Sequence, residues 1–305
     1  KAINDSGCSS LLHYRNAREK EETVPTKRAE LAAIHSGVKY GPHARNLIDI
    51  WLAESDEPTP VVLSFHAGGF RPRPATFDAK SHRTPALKGD LRGLLRAGIS
   101  VAMATHDGIA PDPFQDARRA VQFVRSMSSE WNLDKGKVAA TGTSSGACLS
   151  LWLCHHKDMA KPKARDPVER QSTRLTCAAV NQAVTSLDPR FIRDLMPGCS
   201  AYQRFEEFFG YEGQDLDSLS KKKYELMEEL SPINHVQEGG PPTLLRYTGI
   251  LDGPFGIHHG AFGEAFMERS RSLGVSCDLV AGGTPIGNSR PRTIPTFLKD
   301  LLGSS

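Results

Sequence analysis

A serine stands between two glycines in the stretch GTSSG, residues 142–146. The preceding KVAA is typical of a strand and the following ACLSLWLC of a helix. A strand that reverses directly into a helix needs glycine beside the turn, because Cβ atoms there would clash. The pattern therefore predicts that Ser144 lies at the turn, with an exposed hydroxyl that could act as a nucleophile. An ordinary turn of small residues is the alternative.

A second loop could supply hydrogen-bond donors to the same site. The apolar stretch VVLSF leads into HAGGF, residues 66–70. Paired glycines let bare N–H groups approach a ligand oxygen, and a helix begins with unpaired N–H groups. We therefore expect the amides of Gly68, Gly69 and Ser145 to form an oxyanion hole, although the glycine pair alone fits an ordinary turn. We expect His66 to hold the loop by hydrogen bonds rather than to transfer protons.

Short β-rich runs alternate with longer amphipathic stretches, which predicts a mostly parallel sheet flanked by helices. The strand candidates are residues 46–53, 60–66, 99–105, 137–142, 177–184, 243–249 and 276–282. The helix candidates are residues 87–97, 113–131, 145–157, 261–273 and 293–302. We predict an N-terminal arm over 1–39 and one domain over 40–302, in which 185–235 is a helical, lid-like insertion.

The order of HAGGF, IAPDPFQDARRAVQFVRS, GTSSG and TLLRYTGILDG resembles the α/β-hydrolase superfamily. The resemblance covers roughly residues 40–302 and is closest to hormone-sensitive-lipase-like and feruloyl-esterase-like carboxylesterases. It implies an α/β-hydrolase fold with a helical insertion after the sixth core strand, and hydrolysis of carboxylic esters without a cofactor or metal.

The chain departs from this family in two places before the serine. Ala67 replaces the first glycine of the HGGG motif. THDGIAP stands where the family has a segment with tyrosine and arginine, YRLAP. We expect the alanine to matter little, because the amides of the following glycines are the ones carried over. We expect His106 and Asp107, with His66, to border the substrate pocket and to influence substrate preference.

The family's catalytic residues run in the order serine, acid, histidine. The resemblance places the acid after TLLRYTG, where Asp252 stands, although LDGP also fits a simple turn. Glu264 and Asp188 are weaker substitutes.

The histidine is the difficulty, because the family has it after the final strand and residues 281–293 contain none. His258 and His259, six and seven residues beyond Asp252, are the remaining candidates. One of them could reach the serine while the other packs locally, and we favour His259; alternatively, both are structural. His155 and His156 lie about 16 to 18 Å along the helix that follows Ser144, too far to act as its base.

Charge and composition limit the kinds of partner that the chain is expected to bind. The formal charge of +3 over 305 residues gives no reason to expect a nucleic-acid or membrane partner, and the chain is expected to be soluble. The six cysteines show no metal-like spacing, so we expect mostly buried thiols and at most one disulfide. Lys1 at the start fits a processed secreted or periplasmic protein or a shortened chain. The compartment and the oligomeric state stay open.

Two functional hypotheses follow. The first is a serine esterase that acts through an acyl-enzyme on short acyl or aryl esters, including esters on polysaccharides. The second is a catalytically impaired hydrolase-fold protein that binds a ligand or partner, which is suggested by the missing late histidine.

Overall fold

A mixed sheet organises the described part of the chain. The computed structural model describes residues 34–70, 90–106, 110–200, 203, 205–249 and 256–303. The chain divides into two units, residues 1–31 and 32–305, and every described residue belongs to the second. The strands, in chain order, are β1 His35–Lys39, β2 Leu47–Trp51, β3 Thr59–Phe65, β4 Ser100–Ala104, β5 Leu133–Thr143, β6 Cys177–Asn181, β7 Thr243–Tyr247, β8 Cys277–Ala281 and β9 Thr284–Pro285.

The strand order is β1-β2-β4-β3-β5-β6-β7-β8-β9. Six neighbouring strands pair in parallel, in the spatial order β4, β3, β5, β6, β7 and β8. Strands β1 and β2 at one side of them and β9 at the other pair antiparallel. Strand β3 is buried along its whole length, as expected for a parallel strand covered on both faces. The predicted α/β architecture is therefore confirmed.

Helices cover both faces of the sheet. They are α1 Leu91–Leu95, α2 Asp112–Ser126, α3 Ser145–His155, α4 Pro189–Leu195, α5 Glu206–Phe209, α6 Lys221–Glu229, α7 Ala261–Ser272 and α8 Ile294–Leu302. Short 3-10 helices span Leu216–Ser218 and Pro232–His235. Helices α1 and α8 pack on one face through residues such as Leu94 and Phe297, and α2, α3 and α7 contribute to the core on the other.

Helix α3 lies inside the molecule rather than on its surface. All eleven of its residues are buried, from Ser145 to His155. Its sequence is apolar on every side, so it has no solvated face to present. The serine turn is therefore joined to one of the least exposed elements of the fold.

The seven predicted strands correspond to β2 through β8, and the sequence analysis missed β1 and β9. Strand β1 lies within the predicted arm and pairs with β2, so the sheet begins at His35 rather than after residue 39. The rest of that arm, residues 1–33, lies outside the described residues. The predicted insertion follows β6 and contains α4, α5 and α6.

Aromatic residues of the insertion belong to the core. Phe205, Phe208, Phe209 and Tyr211 are all buried. The ring of Phe208 stacks on that of Phe70, with centroids 4.5 Å apart. These contacts fasten the insertion beside the loop that follows β3.

The described cysteines are all buried, as predicted, and Cys148, Cys154, Cys177 and Cys277 are free thiols; Cys8 lies outside the described residues. Burial raises the pKa of the Cys148 and Cys154 thiols well above their usual range. Burial also raises the pKa of Cys177 to about 12 and that of Cys277 to about 11. Because the thiolate is the reactive form, these thiols should be inert while the protein is folded.

We expect iodoacetamide at pH 8 to label Cys148, Cys154, Cys177 and Cys277 at least about 100-fold more slowly in the native protein than in guanidinium chloride. Peptide mass spectrometry would measure the labelling at each cysteine separately. Rapid native labelling of Cys148 would contradict the buried position of helix α3.

Candidate active site

Ser144 occupies a strained turn between β5 and α3. Its backbone has φ 57° and ψ −118°, outside the region that non-glycine residues usually adopt. Its N–H donates to the carbonyl of Asn181 at 3.1 Å, and its own carbonyl accepts from the N–H of Cys148 at 3.0 Å. The neighbouring strand and the first helical turn thus hold the conformation. The side chain is half-buried.

The two glycines of GTSSG are required by close backbone packing. A Cβ on Gly142 would lie 2.4 Å from the carbonyl carbon of Gly146. A Cβ on Gly146 would lie 2.1 Å from the carbonyl oxygen of Phe65 at the end of β3. Neither distance is possible between real atoms, so only glycine allows helix α3 to begin this close to the sheet.

The loop with the paired glycines lies at the same edge of the sheet as the serine. Phe65 is the register partner of Gly142 in the parallel pair β3 and β5, so the two strands end at the same edge of the sheet. Gly68 and Gly69 follow with φ 134° and 70°, which favour glycine, and both are exposed. The N–H of Ser145 stands at the start of α3, where backbone donors lack partners within the helix. The three residues predicted to form the oxyanion hole therefore lie at the edge of the sheet where Ser144 lies.

A histidine lies against the serine. The Nε2 atom of His258 is 2.8 Å from the Oγ atom of Ser144, within hydrogen-bond distance. His258 belongs to the loop between β7 and α7 and is half-buried. The histidine comes from the loop after β7, not from the region after β8 where the family resemblance places it.

The adjacent His259 faces another way. Its Nδ1 atom accepts a hydrogen bond from the N–H of Ala261 at 3.1 Å, which caps the first turn of α7. The residue is buried. The geometry therefore favours His258 for the serine contact, the reverse of the sequence-based preference for His259.

His66 and His106 form a buried stack. Their rings are nearly parallel, with centroids 4.0 Å apart. Nδ1 of His66 lies 2.8 Å from the carbonyl of Ala67, and its Nε2 accepts from the N–H of His106 at 3.4 Å. His106 is only 3% exposed, and the stacked pair joins the loops after β3 and β4. Asp107, the third predicted pocket residue, lies outside the described residues.

The acid predicted at position 252 also lies outside the described residues. Of the two substitutes, Asp188 caps α4 and binds the guanidinium of Arg190 through both carboxylate oxygens. That pairing gives Asp188 a structural role. Glu264 lies in the first turn of α7.

A strained glutamine secures the segment that leads toward His258. Gln182 follows β6 with φ 54°, and its side-chain amide donates to the hydroxyl of Thr248 at 2.6 Å. Its Oε1 accepts from the N–H of Thr248 at 3.3 Å. Gln182 was not predicted, since nothing in the local sequence pattern distinguishes it.

The sequence profile of the BD-FAE family matches residues 48–249. The match contains Gly68, Gly69 and Ser144 but ends before Asp252 and His258. No curated protein matches the chain. No helix among the described residues is both long and apolar enough to cross a membrane.

Solved structures of esterases share the fold. An acetyl ester-xyloside bifunctional hydrolase from Caldicellulosiruptor lactoaceticus is 23% identical, with TM-score 0.58 over 77% of this chain and 76% of that one. A bifunctional GH43-CE protein from Bacteroides eggerthii is 19% identical, with TM-score 0.66 over 88% of this chain and 38% of that one. Esterase 2 from Thermogutta terrifontis phosphonylated by sarin is 17% identical, with TM-score 0.60 over 90% and 95%.

We expect Gly146→Ala to destabilise the fold by about 3 kcal/mol, because the added methyl group would force α3 away from β3. Chemical denaturation would measure the free energy of unfolding. Gly93→Ala in helix α1 is the matched control, since its Cβ would meet only the Lys299 Nζ atom at 3.9 Å. Its expected effect is zero to about 1 kcal/mol of stabilisation. Equal stability of the two variants would contradict the close approach at the turn.

Proposed function

This chain belongs to the BD-FAE family of α/β-hydrolase-like esterases, and we propose that it hydrolyses carboxylic esters through an acyl-enzyme formed on Ser144. The observation that carries the proposal is the 2.8 Å distance between Nε2 of His258 and Oγ of Ser144. A serine hydroxyl is a weak nucleophile at neutral pH unless an adjacent base removes its proton. The contact supports His258 as that base.

In the first half-reaction, Ser144 Oγ attacks the ester carbonyl carbon while His258 Nε2 takes the hydroxyl proton. The carbonyl oxygen becomes an oxyanion. As the tetrahedral intermediate collapses, the carbon–oxygen bond to the alcohol breaks and His258 returns the proton to the leaving alcohol. In the second half-reaction, water attacks the acyl-enzyme by the same proton transfers, which releases the acid and restores the serine.

The oxyanion would be stabilised by the amides of Gly68, Gly69 and Ser145. The positive φ angles of the glycines and the start of α3 support this role. Donors that are fixed before the reaction begins act most strongly on charge that develops in the transition state. The strain at Ser144 fits the same purpose, because it presents the hydroxyl while placing the next N–H at the helix start.

Asp252 is the proposed partner that orients His258. Its position after β7 agrees with the acid of the family, and it precedes His258 by six residues. The acid and the base would then come from one loop. Such an acid fixes the tautomer of the imidazole and stabilises its protonated form.

The substrates we propose are short acyl or aryl esters, including acetyl esters carried by polysaccharides. The neighbour from Caldicellulosiruptor lactoaceticus acts on acetyl esters and xylosides by its description, and another neighbour in fold is described as a carbohydrate esterase. The rival function, ligand binding without catalysis, was suggested by the absence of a histidine after β8. The contact between His258 and Ser144 favours hydrolysis instead.

We expect Ser144→Ala to abolish labelling by a fluorophosphonate probe and to lower p-nitrophenyl acetate turnover at least about 1,000-fold. The probe forms a covalent bond with an activated serine, so the wild-type protein should be labelled in proportion to its concentration. Equal labelling of wild type and variant would refute Ser144 as the nucleophile. A folded wild-type protein with neither labelling nor turnover would support the binding function.

We expect His258→Ala to lower kcat at least about 1,000-fold and His259→Ala to lower it less than about tenfold. Loss of the His259 cap should instead cost about 1 kcal/mol of stability. Steady-state kinetics and chemical denaturation of both variants measure the two effects. A large loss of kcat in His259→Ala, with His258→Ala active, would reverse the assignment of the base.

A further inference from the structure

Two histidines and a glutamate meet at the opposite end of helix α3 from Ser144. His156 follows the last residue of α3, Glu229 ends α6, and His235 ends the adjacent 3-10 helix. One ligand atom from each residue lies within 4.8 Å of the other two. Imidazole nitrogen and carboxylate oxygen are the donors that bind zinc in sites with three protein ligands and one open position.

Hydrogen bonds to the backbone leave one ring nitrogen of each histidine available. Nδ1 of His156 lies 2.8 Å from the carbonyl oxygen of Lys157, and Nε2 of His235 lies 2.6 Å from that of Glu229. A carbonyl oxygen accepts only, so each of these nitrogens carries the proton and donates. Metal-binding histidines are commonly fixed by this kind of contact on the other ring nitrogen.

The remaining nitrogen of His156 faces a carboxylate. Its Nε2 atom is 3.0 Å from Oε1 of Glu229. In the tautomer that carries its proton on Nδ1, Nε2 presents its lone pair beside Oε1 of Glu229, which is the arrangement of two ligand atoms on one metal ion. The nearby ring of His235, with its centroid 4.6 Å from that of His156, adds a second imidazole to the same place.

Trp152 holds the three residues in place. Its Nε1 donates to the carbonyl oxygen of Glu229 at 2.9 Å, and its ring centroid lies 4.6 Å from that of His156 and 6.2 Å from that of His235. Trp152 is 2% exposed and belongs to the buried helix α3. A site supported by a rigid element needs little rearrangement to bind its ligand.

A cation could reach the cluster through a groove. Glu229 and His235 line a groove of about 490 Å³, together with Asp188, Glu225 and Glu228. The four carboxylates of the groove, on Asp188, Glu225, Glu228 and Glu229, outnumber the two cations paired with them. Arg190 pairs with Asp188 and Glu228, and Lys221 pairs with Glu225 at 3.6 Å, so the groove keeps a negative character. Carboxylates along an approach raise the local concentration of cations.

We propose that His156, Glu229 and His235 bind a divalent transition-metal ion, with Zn²⁺ the favoured ion. The ion would join the end of α3 to α6 and to the 3-10 helix, and so fasten the insertion to the core. The ion would take no part in ester hydrolysis, because it lies about a helix length, roughly 16 Å, from the serine turn. No sequence motif predicts this site, since the three residues are separated by 73 and 6 positions and match no metal-binding pattern.

The test is a calorimetric titration of the chelator-treated full chain with ZnCl₂. We expect one ion per chain at this site, and we expect His156→Ala and His235→Ala each to weaken binding at least about tenfold. His43→Ala is the control, because His43 is exposed and lies outside the cluster, and it should bind zinc like the wild type. Absence of binding below 1 mM, or equal affinity in wild type and both cluster variants, would overturn the proposal.

Two further measurements separate a metal from a simple ion pair. Co²⁺ should quench part of the tryptophan fluorescence of the wild type, because Trp152 lies beside the cluster, and should not quench that of Glu229→Gln, a variant that keeps the shape of the side chain. Saturating zinc should raise the melting temperature of the wild type by roughly 5 °C and leave Glu229→Gln unchanged. Because neither readout depends on ester hydrolysis, failure here would leave the proposed function untouched.

Discussion

The site depends on one close approach between backbones. The start of α3 lies against the carbonyl oxygen of Phe65, where a Cβ on Gly146 would be 2.1 Å away. Because the helix begins there, Ser144 must turn with φ 57°, and the N–H of Ser145 is left at the helix start beside the loop that follows β3. The nucleophile and the Ser145 N–H proposed for the oxyanion are thus fixed by the same packing. No side-chain contact could substitute for it.

The proposed base shows that position in space matters more than order in the chain. The loop after β7 brings Nε2 of His258 to 2.8 Å from the serine, a contact that the family resemblance assigns to the loop after β8. Strands β7 and β8 are neighbours in the sheet, so their carboxyl ends lie at the same edge. A histidine from either loop can therefore reach the same point.

Local patterns were enough to predict the parallel sheet, the strand–turn–helix around Ser144 and the two candidate histidines. They could not decide between His258 and His259, because adjacent residues differ only in the direction that the loop gives them. They also missed β1 and β9, since strands of five and two residues at a sheet edge depend on their partners rather than on their own apolar pattern. The cluster of His156, Glu229 and His235 arises only when the insertion folds against α3.

The segment after β8 has another consequence. This segment contains no histidine. The chain turns through Gly282 and Gly283, with φ 55° and 83°, and forms β9 at the end of the sheet. That strand has two residues, and one of them is Pro285, which lacks an amide hydrogen. An edge this short, with a donor missing, is a poor template for a strand from another molecule. The edge of the sheet formed by β9 is thereby protected against aggregation by edge-to-edge pairing.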